Sequence, residues 1–180
     1  MKLIHTAISD LLIVESNVFE DERGYFFEAF NANRWNENGV PIQIAQTNIS
    51  KSQKDVVRGL HFQNPPFAQG KLIRVLKGAV LDVAVDIRKN SVSYGKYVAI
   101  ELTEDNKLGL WVPPGFAHGF KTIAEDTLFY YDCTDVYNRE SEGSVRWNDP
   151  DIGIDWKIEN PIISEKDAIA PFFRELESQF

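Results

Sequence analysis

Two of the three histidines in this chain stand where an imidazole could move a proton or hold a ligand. His61 lies in Val57-Arg-Gly-Leu-His-Phe-Gln63, and His118 follows a turn in Trp111-Val-Pro-Pro-Gly-Phe-Ala-His-Gly-Phe120. Histidine ordinarily ionises near neutrality, so it is the side chain best suited to accept a proton at physiological pH. An imidazole between Leu60 and Phe62 reads equally well as a hydrogen-bonded core residue, and the residues alone leave both readings open. His5, near the terminus and without such neighbours, is assigned to the surface.

Composition narrows the possible partners. The 180 residues carry 19 Lys and Arg against 27 Asp and Glu, a formal charge of −8, so there is no broad basic field for a nucleic acid or an anionic membrane. An anionic ligand must therefore be met by a local basic pocket. The single cysteine, Cys133, can form no internal disulfide, fits a reducing cytoplasm and reads as a buried strand residue. Residues 1–10 lack the apolar core of a secretion signal, and no stretch approaches the ~18 apolar residues of a membrane span. A protein located in the cytoplasm is expected.

The elements that must position these histidines read as strands. From Gly78 to Arg88, Val80, Asp82, Ala84, Asp86 and Arg88 alternate with Leu81, Val83, Val85 and Ile87, which predicts a half-buried antiparallel strand. Similar segments are Tyr25–Phe30, Ile42–Ile49, Val56–Phe62, Leu72–Leu76, Tyr97–Leu102, Leu108–Val112 and Thr127–Cys133. So many strands, spaced by turn signals, leave little room for βα units. They predict one all-β domain over residues 1–180, an antiparallel jelly-roll barrel enclosing a ligand cavity. Two short helices are expected beside it: Asn31–Asn38, closing at Gly39, and a C-terminal helix opened by the capping box Ser164-Glu-Lys-Asp167 and ended near Pro171. Trp147–Pro161 reads as an irregular connection.

Pro113, Gly115 and His118 match the P-x-G-x-x-H motif of the cupin family, which the chain resembles. The resemblance implies a cupin-type barrel, but the metal-binding half of the pattern is altered. After His61 the next ligand position is Gln63, and Gln69-Gly-Lys71 stands where the family has glutamate. An ammonium repels a divalent cation, so a cupin without metal or other cofactor is expected. Inside an apolar barrel, Lys71 would instead stabilise a developing oxyanion such as an enolate.

A narrower resemblance runs from about Phe19 to Ala170. Arg58-Gly-Leu-His-Phe-Gln63, Gln69-Gly-Lys71, Val112 to Phe120, Tyr131-Asp-Cys-Thr-Asp-Val-Tyr137 and Arg146-Trp-Asn-Asp-Pro150 together are similar to the dTDP-4-dehydrorhamnose 3,5-epimerase family. That resemblance implies inversion at C3 and C5 of dTDP-4-dehydro-6-deoxy-D-glucose, in L-rhamnose biosynthesis, by a homodimer. It implies His61 as base, Asp167 as its partner, Tyr131 as the acid on the opposite face, and Lys71 and His118 as candidates for the enolate oxygen. It further implies a nucleotide site made of Phe19, Arg23, Phe26, Glu28, Gln46, Asn48, Arg58 and Tyr137, its N-terminal part supplied by the partner subunit. Arginines suit a pyrophosphate bidentately.

Each residue also has a plainer reading. Asp167 is at the third position of a capping box, Tyr131 shares a strand face with Phe129 and Cys133, and Lys71 and both arginines could be surface residues. By strand alternation Tyr130 should point away from Tyr131. The competing functions are an epimerase acting at C3 alone, a ketoisomerase of nucleotide sugars, a non-catalytic sugar-binding cupin and a metal-dependent oxygenase. The last is disfavoured by Gln63 and Lys71, and the binding module by the presence of both a base and an acid.

Overall fold

A computed structural model of the chain describes residues 1–180. Its strands are β1 (Lys2–His5), β2 (Leu12–Glu15), β3 (Val18–Asp21), β4 (Gly24–Phe27), β5 (Gln46–Ser52), β6 (Val57–Gln63), β7 (Lys71–Lys77), β8 (Ala79–Asp86), β9 (Tyr97–Thr103), β10 (Gly109–Val112), β11 (Phe116–Thr122), β12 (Thr127–Cys133) and β13 (Glu142–Ser144). Helices α1 (Ala32–Glu37) and α2 (Glu165–Ala168) and a 3₁₀ turn at Phe173–Glu175 complete the chain.

One sheet has the order β1-β2-β10-β7-β12-β5, the other β13-β6-β11-β8-β9, and β3 and β4 form a separate hairpin. Pairing between these strands is antiparallel throughout. The two larger sheets form an antiparallel jelly roll, packed through Ile73, Val75, Leu110 and Phe129 from one side and Val80, Ala84, Phe116 and Phe120 from the other. Burial of this kind contributes roughly 1.5–3 kcal/mol per large side chain.

The half-buried reading of β8 is corrected. Asp82 and Asp86 are as fully enclosed as Val83 and Val85. The Leu81, Val83, Val85 and Ile87 face lies outside the barrel but is covered by Val145, Ile152, Trp156, Phe173 and Phe180 of the C-terminal segment. The face carrying Asp82 looks inward. Alternation correctly separated the two faces, while solvent was wrongly assigned to the polar one.

Other expectations shift at their edges. The strand expected over Tyr25–Phe30 ends at Phe27, and that expected over Ile42–Ile49 becomes Gln46–Ser52. The helix at Asn31–Asn38 forms, with Asn31 accepting from the Asn33 and Arg34 amides and Gly39 at φ +77° beyond its end. The expected C-terminal helix is a single turn over Glu165–Ala168, capped by Ile169 before Pro171. Strand β11, which carries His118, had no alternating signal because all seven residues are buried.

Strand β6 approaches β11 unusually closely at Gly59 and Gly119. A Cβ on Gly59, whose φ is +123°, would lie 2.6 Å from Gly119 Cα, and the register shifts between His118 and Phe120. Only glycine fits this crossing. It sets His61 directly opposite His118 in the pairing of β6 and β11.

Candidate active site

Between the sheets lies a cavity of about 500 Å³ that gathers Arg58 and His61 from β6, His118 from β11, Lys71 from β7, Tyr131 from β12 and Asp167 from α2. Phe120, Phe129, Ile162 and Ile163 supply apolar wall. A smaller recess of about 260 Å³ shares His61, Lys71 and Tyr131 and adds Gln46, Asn48, Tyr137 and Glu142. The two therefore form adjoining parts of one site.

His61 Nε2 lies 2.6 Å from Asp167 Oδ1, while Asp167 Oδ2 accepts the Gly59 amide at 3.3 Å. The Asp167 amide donates to Ser164 Oγ at 3.1 Å, so the serine half of the capping box forms while the carboxylate turns to the histidine. Burial opposes charge on Asp167, yet the hydrogen bond and charge of His61 and the Gly59 amide outweigh it and hold the carboxyl below its usual range. Its side chain is nearly enclosed, whereas His61 keeps 33% of its side chain exposed, on the cavity side.

His118 forms a second pair. Its Nε2 lies 2.9 and 3.0 Å from the two oxygens of Asp82, both residues being buried. Burial pushes the His118 imidazole below its usual ionisation despite Asp82, and the charges of Lys71 and His61 push the same way.

Lys71 has neither a hydrogen-bond acceptor nor an ion-pair partner, so its ammonium points unpaired into the site. Burial lowers its pKa, and the negative potentials of Cys133, Asp82 and Glu142 oppose that fall. The Tyr131 hydroxyl is likewise unpartnered, and burial raises its pKa, with Arg58 pulling the other way. Tyr130 points to the opposite face and donates to Asp132 at 2.8 Å. Arg58 donates from Nε to Ser52 Oγ at 3.1 Å, leaving the end of its guanidinium free beside the cavity. Cys133 is buried beside Lys71, with burial raising its pKa.

The N-terminal residues stand apart. Phe19, Arg23 and Phe26 line a separate concavity on the exposed β3–β4 hairpin, where Arg23 pairs with Asp21. Glu28 pairs with Arg34 at 3.2 Å and accepts from Asn31 at 3.0 Å. Within one chain these four do not meet the cavity. Both polar atoms of Gln63 are engaged by the protein: its Nε2 donates to the Phe67 and Val136 carbonyls and its Oε1 accepts the Asn138 amide.

The model of the dTDP-4-dehydrorhamnose 3,5-epimerase family matches residues 5–175. The chain belongs to that family. A dTDP-4-dehydrorhamnose 3,5-epimerase of Salmonella typhimurium is 51% identical over 173 residues, 95% of this chain and 94% of the relative. The epimerase structure from Elizabethkingia anophelis superposes with a TM-score of 0.93 at 51% identity, covering 97% of both chains. The epimerase from Legionella pneumophila, solved in complex with dTDP-4-keto-L-rhamnose, gives 0.94 at 44% identity over 98% of this chain and 94% of that one.

Two residues of this family member's site were not singled out from its sequence. Glu142 accepts from Lys166 Nζ at 2.6 Å and from the Tyr137 hydroxyl at 3.1 Å, tying three rim side chains together. Tyr137 is fixed a second time by its amide, which donates to Gln46 Oε1 at 2.8 Å. Glu142 opens the short strand β13, which no sequence signal marked, and Lys166 lies within the expected capping box, so only folding brings them to one rim. Asp82 was visible as an acid in a strand, but its inward direction was not.

Proposed function

We propose that the chain inverts C3 and C5 of dTDP-4-dehydro-6-deoxy-D-glucose to give dTDP-4-dehydro-L-rhamnose, removing and returning protons beside the C4 ketone. The observation that carries this reading is a base and an acid on opposite sheets. His61, backed by Asp167, and Tyr131, with an unpartnered hydroxyl, face one cavity that also holds the unpaired ammonium of Lys71. Inversion requires that arrangement, because a base that returned its own proton would restore the starting configuration.

With Nε2 committed to Asp167, the Nδ1 lone pair of His61 takes the proton from C3 or C5. Asp167 stabilises the resulting imidazolium, as a carboxylate does when it orients a histidine base. The electron pair moves onto the ketone oxygen, where the Lys71 ammonium neutralises the enolate. Tyr131 then gives its hydroxyl proton to the opposite face of the carbon, Arg58 favours the phenolate left behind, and exchange with solvent resets both groups.

Arg58, Gln46, Asn48 and Tyr137 extend the site towards the nucleotide diphosphate. Phe19, Arg23, Phe26 and Glu28 would join it from the hairpin of a second copy, which makes the working unit a homodimer. A 3'-monoepimerase from Streptomyces bikiniensis shares the fold with a TM-score of 0.90 at 28% identity, against 51% for the Elizabethkingia 3,5-epimerase, which favours action at both carbons, although a mycobacterial 3,5-epimerase at 32% stands little above it.

Proton NMR of the keto-sugar in deuterium oxide, with a 4-reductase and NADPH to trap product, tests the reading. Deuterium at both C3 and C5 with dTDP-L-rhamnose formed is expected. Label at C3 alone would make the chain a single epimerase, and tight binding without exchange would make it a sugar-binding domain. Tyr131→Phe should retain much of the exchange but lose inversion by roughly 10²-fold.

A further inference from the structure

Asp82 has one hydrogen-bond partner, His118 Nε2, which its two oxygens approach almost equally, at 2.9 and 3.0 Å. A carboxylate that shares one nitrogen in this way accepts a single N–H between its oxygens, whereas a protonated carboxyl would turn its one O–H to the ring. His118 is buried, which favours its neutral form, and a neutral imidazole carries one N–H. With that proton on Nε2, Nδ1 is a bare lone pair. It bonds no protein group, is not sealed from the cavity, and belongs to a ring that lines it.

One cavity thus carries two unlike groups: the three donors of Lys71 and the single acceptor of His118. A lone pair is the wrong partner for an enolate oxygen, so His118 cannot share that load with Lys71. A sugar with a C4 ketone and a C3 hydroxyl presents the complementary pair, an acceptor next to a donor. We propose that Asp82 is a positioning residue that holds the His118 proton on Nε2, making Nδ1 the acceptor for the hydroxyl beside the ketone while Lys71 takes the ketone oxygen. The assignment rests on the epimerase reading for its substrate but not for its tautomer.

Long-range proton–nitrogen spectra of the ¹⁵N-histidine-labelled protein, without substrate, read the tautomer directly. The His118 signals, assigned by their loss in His118→Asn, should show a protonated Nε2 and a bare Nδ1 at about pH 7; a protonated Nδ1 would overturn the proposal. In exchange assays Asp82→Asn, which no longer dictates the tautomer, should lower kcat/KM for the natural keto-sugar by roughly 10- to 100-fold. Its effect on the 3-deoxy analogue, which lacks the hydroxyl, should be much smaller, because the acceptor at Nδ1 then has no partner to lose. Equal losses on both sugars would mark a merely structural role and sink the assignment. A wild-type chain that exchanges neither sugar would count against the epimerase reading, and the nitrogen spectrum would still decide the tautomer.

Discussion

The site contains two His–Asp pairs, opposed across the pairing of β6 and β11, and the difference between them explains why one suits proton transfer and the other does not. Both histidines turn Nε2 to a carboxylate. Asp167, however, uses one oxygen for His61 and the other for the Gly59 amide, so its charge is held by a neighbouring backbone and a helix turn as well as by the ring. Asp82 spends both oxygens on His118. His61 keeps a third of its side chain exposed, whereas that of His118 is 6% exposed and the ring stacks near Phe129. An imidazole that must gain and lose charge needs partial hydration and an adaptable counter-ion, while burial suits one that must stay uncharged and only accept a hydrogen bond from a ligand in the cavity. The same residue pair, at two depths, is suited to the two roles proposed for it.

The sharpest way to break this contrast is to remove the exposed imidazole. His61→Asn keeps a polar side chain of similar reach but no base, and it should lower exchange at both C3 and C5 by about 10²- to 10⁴-fold, the range of a lost general base. NMR in deuterium oxide reads both carbons in one experiment. Substantial exchange at either carbon would mean that a second base serves it, and the division of labour between the pairs would fail.

Much of this site was readable from the chain because its chemistry clusters in short motifs: Arg58 and His61 share one strand, Pro113-Pro-Gly precedes His118, and Tyr131 sits in an aromatic strand. The helix between Asn31 and Gly39 was readable for a local reason, since both caps are residue types with a fixed backbone use. What was not readable depended on which face the fold covers. β8 has clean alternation, yet its polar face points inward because the C-terminal segment covers the other, a long-range event that no local period encodes. β11 lacks alternation for the same reason, being buried on both faces. Glu142 and Lys166 meet through folding alone, 24 residues apart in sequence.

Lys71 offers the next test, with opposite effects on activity and stability. Lys71→Met keeps the stem and removes the charge, so exchange should fall by roughly 10²- to 10³-fold, the scale of a lost oxyanion donor. Burial lowers the pKa of Lys71 in the folded chain, which means the unfolded chain binds its proton more readily. Folding is therefore penalised while both states are charged, and stability rises as pH climbs from the folded pKa to the ordinary lysine value. The Met variant should melt higher near neutral pH, by about 2 to 4 °C for each kcal/mol of relief in a chain of this size. It should also make His118 easier to protonate, because the Lys71 charge is one cause of that histidine's suppression. A lower melting temperature would show that the ammonium has a stabilising partner after all.

Asp167→Asn probes the exposed pair most gently and separates its two duties. The amide can still accept from the Gly59 N–H and the Ser164 cap is untouched, since that cap uses the Asp167 main chain. What is lost is the negative charge behind His61, so exchange should fall by about 10- to 100-fold, less than for removal of the base itself. The stability effect should depend on pH in a defined direction. The folded carboxyl ionises below its ordinary value, so the wild-type chain draws stability from it above the unfolded carboxylate range and loses that stability as acid carries the folded group through its own pKa. Wild type and variant should therefore differ most near neutrality and converge in strong acid, as followed by chemical denaturation across pH. A difference that persisted unchanged into acid would mean that Asp167 stabilises the chain through packing at α2 rather than through its charge, and the hydrated pair would then resemble the sealed one more than its geometry implies.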